Sequence, residues 1–175
     1  MAIKGKQSVG QLGVTLIVQD VAAAADFYRD VLGAEEVQRN FSFGPNKPPG
    51  SEVLSAELKL AGAYLIVAKE NPRWSEAPRP DWPRSPLPAG AASVFLTIYV
   101  DDVDAVFERA IAAGATPQVR DQFPQSTYWG DRIAQIHDPF GHVWRIQTRI
   151  EDVADDELAA RFTIQQERAR ASARS

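Results

Sequence analysis

The sequence predicts an α+β protein built from two copies of one unit, in which a single helix lies on β-strands. The two copies are VTLIVQDVAAAADFYRDVLGAEE (14–36) and LTIYVDDVDAVFERAIAAGATP (96–117). Both contain an apolar strand, an Asp, an Ala-rich helix and Gly-Ala, and Val18 and Val100 are as far apart along the chain as Asp20 and Asp102. Self-similarity of this kind indicates a duplicated supersecondary unit. The third observation is GDRIAQIHDPFGHVWRIQT (130–148), which has the pattern of two strands around a DPFG turn.

The first unit is predicted to begin with a strand at residues 14–18, where one face is more apolar than the other. Asp20 can accept hydrogen bonds from the first free amides of the helix that follows, and Gly33 can end that helix. Residues 53–60 and 64–68 flank Ala-Gly-Ala and predict a hairpin, in which Leu54, Ala56 and Leu58 face the helix.

The second unit repeats this order. Residues 94–100 alternate and predict a strand, and either Asp101 or Asp102 caps the next helix. Gly114 supplies the stop for that helix. The helix residues expected to face inward are Val103, Phe107, Ala110 and Ile111. The strands of the last hairpin are expected at residues 133–137 and 143–148.

The rest of the chain is expected to connect or flank these units. Six prolines between residues 70 and 90 disfavour helix and sheet. Trp74 and Trp82 in this connector either pin it to the surface or cover a pocket. In the polar tail, Asp155 can cap a helix that docks through Leu158 and Phe162. The predicted organisation is an N-terminal arm at 1–11, a first module at 12–68, the connector at 69–91, a second module at 92–150 and the tail at 151–175.

Composition excludes several classes of function. The chain has 175 residues and no cysteine, which excludes disulfides, thiol nucleophiles and sulfur-ligated metals. Its net charge of −4 argues against recruitment by nucleic acid or an anionic membrane. We find no secretion signal and no apolar run long enough to span a bilayer, so a cytoplasmic location is expected.

The paired units and the motif DPFGHVW resemble the vicinal-oxygen-chelate superfamily of glyoxalases, bleomycin-resistance proteins and extradiol dioxygenases. The segment YWGDRIAQIHDPFGHVWRIQTRIEDV (128–153) more specifically resembles the PhnB-like branch. The resemblance implies two βαβββ modules whose curved mixed sheets surround a shared cavity, and it implies a homodimer. It also implies that active members hold a divalent metal with a His or Gln near the start of each first strand and a Glu in each last strand.

This chain departs from that metal-binding pattern. The first-strand ligand positions fall on Gly13 and Phe95, and the last-strand positions fall on Arg145 and near Ile66. None of these residues offers a carboxylate or an imidazole, and a guanidinium repels a cation. The two histidines, which flank DPFG, could lie opposite one another, but they have no third ligand in evident reach. We therefore expect neither a metal nor another cofactor.

Strand parity predicts which side chains line the cavity. Arg145 is expected there, and it needs either Glu57 or a ligand anion as its partner because an unpaired buried arginine is costly. If the last hairpin is regular, Ala134 lies opposite Arg145 and Arg132 lies opposite Gln147, all on the cavity side. The residues expected to point inward are Thr15, Ile17, Ser55, Glu57, Lys59, Phe95, Thr97, Tyr99, Val143, Arg145 and Gln147.

Two adjacent aromatic residues, Tyr128 and Trp129, stand where the last hairpin begins. They can stack on a planar ligand or plug the end of the sheet. The residues expected to bind the ligand are Thr15, Phe95, Thr97, Tyr99, Trp129, Arg132 and Gln147. If the protein is an enzyme, Arg145 and Glu57 are the expected catalytic residues.

Three functions from different classes remain open. The first is a metal-free binding protein for a small planar or anionic molecule, and this function is preferred. The second is a cofactor-independent lyase or isomerase in which Glu57 acts as a base and Arg145 stabilises an oxyanion. The third is a non-catalytic interaction module whose cavity is filled by its own side chains.

Overall fold

The computed structural model describes residues 12–42, 48–74, 76–77, 79–119 and 123–172. The predicted N-terminal arm (1–11) lies outside the described residues. The strands are β1 (Gly13–Val18), β2 (Glu35–Phe41), β3 (Val53–Leu60), β4 (Ala63–Lys69), β5 (Phe95–Tyr99), β6 (Thr116–Pro117), β7 (Gln125–Ser126), β8 (Asp131–His137) and β9 (Val143–Arg149). The helices are α1 (Val21–Leu32), α2 (Pro86–Ala89), α3 (Val103–Ala112) and α4 (Asp155–Ser172), with a short 3-10 helix at Pro72–Trp74.

The chain forms two compact units. The first unit comprises Met1–Val94 and Asp138–His142, and the second comprises Phe95–His137 and Val143–Ser175. The strand order is β1-β4-β3-β2 in the first sheet and β5-β9-β8-β6 in the second, where β7 also pairs with β8. In each sheet the first strand runs parallel to its neighbour, while the other pairings are antiparallel. The predicted α+β fold with two mixed sheets is confirmed.

Helices α1 and α3 begin as the sequence predicts. The side chain of Asp20 accepts a hydrogen bond from the amide of Ala23 at 3.0 Å, and that of Asp102 accepts one from Ala105 at 3.0 Å. Asp102, rather than Asp101, is therefore the cap of α3. Gly33 ends α1 with a φ of 77°, which costs glycine little because it has no Cβ.

The packed faces differ from the prediction at two positions. Ile111 of α3 is 36 % exposed, and Val106 is buried instead. On β3, Leu54 is 41 % exposed, while Ala56, Leu58 and Leu60 are buried. On β3 the buried segment is shifted toward the end of the strand, and on α3 the buried face is turned toward Val106.

Strand β2 was not predicted from the residue pattern. Its sequence, EEVQRNF, is mostly polar because β2 forms an edge of the first sheet. Arg39 donates to Glu36 at 2.8 Å and to Asp26 of α1 at 2.5 Å. Ion pairs therefore hold β2 beside α1. Packing by apolar side chains would instead have given β2 a hydrophobic pattern in the sequence.

The DPFG turn belongs to the first unit. The Oδ1 atom of Asp138 accepts hydrogen bonds from the amides of Phe140 and His142, both at 2.9 Å. Its Oδ2 atom accepts one from the Tyr28 hydroxyl at 2.7 Å, and the Nε2 atom of His142 lies 3.1 Å from the carbonyl oxygen of Ile17. The side chain of Asp138 therefore organises the turn.

The register of the last hairpin corrects the prediction by one residue. His137 pairs with Val143, so the turn has five residues and His142 lies within it, not opposite His137. Arg145 therefore lies opposite Gln135, not Ala134. A shift of one residue exchanges the two faces of a strand. Arg132 and Ala134 consequently lie on the helix side of β8, where Ala134 is fully buried.

The connector contains more helix than the proline pattern predicted, in the form of two short helical turns at Pro72–Trp74 and Pro86–Ala89. Trp82 is half-buried, and the guanidinium carbon of Arg79 is 5.2 Å from its ring centroid. The side chain of Trp74 lies outside the described residues. In the tail, α4 begins at Asp155, which is therefore the first residue of the helix and not its predicted cap, and Phe162 packs against Tyr128 with ring centroids 5.1 Å apart. Among the described residues, we find no helix with the length and apolarity needed to span a bilayer.

Candidate functional site

The two sheets have equivalent registers, which identifies matching positions. In the first sheet Thr15 pairs with Ile66, which also pairs with Glu57. In the second sheet Thr97 pairs with Arg145, which also pairs with Gln135. Ile66 is therefore the counterpart of Arg145, and Glu57 is the counterpart of Gln135. The duplication places a cation in the second sheet where the first sheet has an aliphatic side chain.

The face of the second sheet opposite α3 carries most of the predicted ligand-binding residues. Phe95 is 44 % exposed and Tyr99 is 58 % exposed, and Thr97 lies between them on β5. Arg145 on the neighbouring strand is half-buried. Gln147 is on the same face but only 6 % exposed, so a ligand has little access to it. The reachable part of this face combines the rings of Phe95 and Tyr99, the hydroxyls of Thr97 and Tyr99, and the guanidiniums of Arg145 and Arg149.

Neutral neighbours hold Arg145. Its guanidinium carbon is 5.1 Å from the centroid of the Phe95 ring. With the Gln135 amide assigned in the orientation that suits its neighbours, its oxygen accepts from Nη2 of Arg145 at 2.8 Å and from Nε at 3.0 Å, and its nitrogen donates to the Gln118 oxygen at 2.6 Å. A guanidinium only donates, and the Gln118 oxygen only accepts, so a single orientation of the Gln135 amide satisfies both.

The other two arginines of β8 and β9 have carboxylate partners. Arg132 donates through Nε and Nη2 to Asp104 of α3, both at 2.6 Å, and this lowers the pKa of the Asp104 carboxyl. The Nε atom of Arg149 lies 2.7 Å from the buried carboxylate of Asp131. Within the described part of the second unit, Arg145 has no carboxylate within ion-pair distance. It is therefore the arginine of these strands whose charge is left for a ligand.

Two of the predicted site residues belong to the first unit. Thr15 is exposed on β1, and Glu57 is half-buried on β3. The Oε1 atom of Glu57 accepts from the Gln38 amide at 2.8 Å, and its Oε2 atom accepts a short hydrogen bond from the Tyr64 hydroxyl. The expected partnership of Glu57 with Arg145 involves both units, and it stays a prediction.

Arg132 and Trp129 lie elsewhere than on the face of Arg145. The orientation expected for Arg132 is wrong, because the one-residue register shift directs it to Asp104. Trp129 is half-buried in the turn before β8, where its indole N–H donates to Asp131 at 2.9 Å and its ring packs edge-on against Tyr128 at 4.8 Å. These contacts give Trp129 a structural role in the turn.

At the positions where the resemblance implies metal ligands, the residues of this chain do not suit a metal ion. Gly13 and Ile66 offer no side-chain donor, Phe95 offers an aromatic ring, and Arg145 offers a positive charge. Across the ranges that the structure describes, no group of three His, Asp or Glu residues is placed to bind a metal ion. The residues at these positions favour an anion over a cation.

The sequence analysis missed two residues of this face, Gln135 and Gln118. Gln135 was assigned to the opposite face by the register error, and Gln118 lies just after the short strand β6. The signal for the correct register was Asp138 itself. An Asp that accepts from the amides two and four residues later encloses His142 in the turn and lengthens it to five residues.

A cleft of about 390 Å³ lies elsewhere in the second unit, between the turn before β8 and α4. It is lined by Ser126, Thr127, Tyr128, Arg161, Ile164, Gln165 and Arg168. Arg161 already donates to Glu151 at 2.6 and 2.7 Å and to Glu157 at 2.9 Å, so its charge is compensated. The Thr127 hydroxyl likewise donates a hydrogen bond to the carbonyl oxygen of Asp131. This cleft therefore offers a ligand less than the face of Arg145.

Comparison with known proteins identifies the family. The sequence model of the glyoxalase/bleomycin resistance protein/dioxygenase superfamily matches residues 10–146. The chain belongs to this superfamily. A relative, the uncharacterized protein Mb0911c of Mycobacterium bovis, is 32 % identical over 152 residues, which cover 86 % of this chain and 90 % of the relative.

Solved structures share the superfamily fold. A glyoxalase/bleomycin resistance protein/dioxygenase family enzyme from Burkholderia phytofirmans is 24 % identical with a TM-score of 0.57, and the match covers 78 % of this chain and 96 % of that one. TnmS3, an antibiotic-binding protein from a Streptomyces species, is 22 % identical with a TM-score of 0.51, over 85 % of this chain and 98 % of that one. At these identities the glyoxalase-like structures establish the fold of this chain.

Proposed function

We propose that this protein binds a small planar anion, without a metal ion, on the face of the second sheet that carries Arg145. The observation that carries the proposal is the contrast among three arginines. Arg132 and Arg149 are paired with carboxylates, whereas Arg145 is held by a neutral amide and an aromatic ring. A half-buried guanidinium that has no carboxylate in the described part of its unit can pair with an anion from solution.

The aromatic surroundings support a planar partner. Phe95 and Tyr99 expose large parts of their rings on the same face, and ligand sites typically combine apolar walls with a few polar groups. Small-molecule binding also agrees with the superfamily, in which TnmS3 is described as antibiotic-binding. The PhnB-like branch, the homodimer and the cytoplasmic location remain parts of the proposal.

A catalytic function has less support. A cofactor-independent lyase or isomerase would use Glu57 as its base, together with Arg145. Both oxygens of Glu57 already accept hydrogen bonds from Gln38 and Tyr64, so a substrate proton would compete with these donors. Saturable binding without turnover would favour the binding protein over the enzyme, and over an interaction module.

The proposal is tested with a matched pair of probes. The planar anion is 2-naphthoate, and its neutral counterpart is 2-naphthamide; the affinity of each is measured by isothermal titration calorimetry. Replacing Arg145 by Ala should weaken naphthoate binding by about 10- to 100-fold, because charge-assisted hydrogen bonds contribute about 1.5–3 kcal/mol. The affinity for naphthamide should change by less than about threefold, since it carries no charge for the guanidinium to pair with.

Arg132→Ala is the control for this experiment. It removes the same charge from the opposite face of the sheet, and naphthoate affinity should stay close to that of the wild type. Melting temperatures establish that the variants are folded. If naphthoate fails to bind the wild type, or binds Arg145→Ala equally well, the proposed function is wrong.

A further inference from the structure

We propose that the ligand of the Arg145 face is a monocarboxylate, and that Gln135 and Gln118 are positioning residues that set this preference. The inference rests on the proposed function and goes beyond it, because it names the anion class and the groups that select it. Three features of the second unit carry it: the number of unpaired charges, the edge of the guanidinium that stays open, and the kind of atoms beside it.

The charge on this face suits a single negative charge. Arg149 also lies on the face but is compensated by the buried carboxylate of Asp131. Within the described part of the second unit, this leaves Arg145 as the arginine of β8 and β9 that can neutralise a ligand. A monoanion would be fully compensated, whereas a dianion would keep one uncompensated charge next to the rings of Phe95 and Tyr99.

The Gln135 amide determines which edge of Arg145 is open. A guanidinium has five N–H groups, and the Gln135 oxygen accepts from Nε and from one N–H of Nη2. The side-on edge of the guanidinium is therefore occupied. The end-on edge, formed by Nη1 and the other N–H of Nη2, can make the two parallel hydrogen bonds that match the two oxygens of a carboxylate.

The atoms beside that edge disfavour a third ligand oxygen. The Gln135 oxygen is an acceptor, and its amide nitrogen is directed to Gln118 at 2.6 Å. The Phe95 ring covers the guanidinium at 5.1 Å. Thr97, which pairs with Arg145, supplies one neutral hydroxyl, which cannot compensate a second charge. A tetrahedral oxyanion with three oxygens therefore finds fewer donors than it needs.

Gln118 keeps the selecting group in place. Because its oxygen accepts from the Gln135 nitrogen, the Gln135 oxygen stays directed at Arg145. The backbone supports the same contact, since the amide of Gln118 donates to the carbonyl of Gln135 at 2.9 Å. Removing either side chain should free the side-on edge or allow the amide to turn.

The test compares three naphthalene anions that separate shape from charge. At pH 8, 2-naphthoate is planar with one charge, 2-naphthalenesulfonate is tetrahedral with one charge, and 2-naphthylphosphonate is tetrahedral with nearly two. We expect the wild type to bind naphthoate about tenfold or more tightly than the phosphonate, with the sulfonate between them. Gln135→Leu opens the side-on edge and removes an acceptor, so the affinities for naphthoate and the sulfonate should come within about threefold of one another, while the phosphonate should stay weaker because of its second charge.

Two further variants make the assignment to the Gln135–Gln118 pair specific. Gln118→Leu should reduce the preference in the same direction as Gln135→Leu, because it releases the amide. Gln38→Leu is the matched control: Gln38 bonds Glu57 in the first unit as Gln118 bonds Gln135 in the second, and its loss should leave the preference unchanged.

The outcomes separate this inference from the proposed function. Naphthoate binding that depends on Arg145, together with phosphonate binding of equal strength in the wild type, would overturn the inference alone. An unchanged preference in both folded Gln135→Leu and Gln118→Leu would overturn the positioning role. Loss of the Arg145 dependence itself would overturn both proposals. The wild-type ranking needs no variant, so a misfolded mutant does not remove the test.

Discussion

At the scale of single residues, the partner of each charged group distinguishes structural from functional arginines. Arg132 holds α3 through the carboxylate of Asp104, and Arg149 holds the start of β8 through that of Asp131. Neither arginine needs a ligand as a partner for its charge. Arg145 has the same chemistry but contacts only neutral groups in the described part of its unit. The contrast distinguishes Arg145, a candidate for ligand binding, from two structural arginines on β8 and β9.

His142 is a second residue whose surroundings predict a measurable effect. It is 8 % exposed, and burial lowers the pKa of its imidazole below the ordinary value of 6.5, although the neighbouring Asp138 acts in the opposite direction. The unfolded chain therefore binds a proton more readily than the folded protein. The free energy of unfolding should decrease as the pH falls through 6.5 toward the lower pKa of the folded state.

This pH dependence can be checked by urea unfolding at pH 7.5 and pH 5.5. His142→Gln keeps a side-chain N–H for the Ile17 carbonyl but does not titrate. Its loss of stability between the two pH values should therefore be smaller than that of the wild type, by up to about 1.4 kcal/mol per pH unit. His137→Gln serves as the control. An equal loss in the wild type and in His142→Gln would contradict the prediction.

At the scale of elements, both units use the same device to begin a helix. Asp20 and Asp102 occupy equivalent positions, and each accepts a hydrogen bond at 3.0 Å from the amide three residues later. Local chemistry of this kind can be predicted from sequence because donor and acceptor are close along the chain. The hairpin register could not be predicted in the same way, since it depended on the number of residues that the Asp138 side chain enclosed.

The cap of α3 leads to a simple stability prediction. Asp102→Ala removes the acceptor for the Ala105 amide and should lower the free energy of unfolding by about 1 kcal/mol. The measurement is urea unfolding followed by circular dichroism. Asp101→Ala changes the net charge by the same amount but removes no capping bond of α3, so its effect should be smaller. Equal losses in both variants would show that charge, not capping, matters here.

At the scale of the whole molecule, duplication explains both the shared architecture and the difference in chemistry. Equivalent registers give the two sheets the same positions, yet Ile66 and Glu57 in one correspond to Arg145 and Gln135 in the other. The side chains on one sheet face can change without altering the fold, because the helix-facing residues on the other side provide the core. A single fold can thus carry different ligand chemistry in its two halves.

Self-association is the prediction that concerns the whole chain. The family resemblance implies a homodimer, and exposed sheet edges can pair with another chain. The edge strand β5 exposes Phe95 and Tyr99, and Val94 just before it is 52 % exposed. Light scattering at micromolar concentration should give a mass near twice 19.2 kDa. A single species with the mass of one chain would refute the prediction.

The sequence by itself determined the duplicated α+β architecture, the caps of α1 and α3, the parity of β9 and the family. These features depend on neighbouring residues or on a repeat that is visible along the chain. Tertiary structure alone decided that Arg132 faces Asp104, that β2 is a polar edge strand and that Gln118 and Gln135 hold Arg145. Each of these depends on contacts between residues distant in sequence. A one-residue change in pairing reverses the faces of a strand, and local pattern does not specify that pairing.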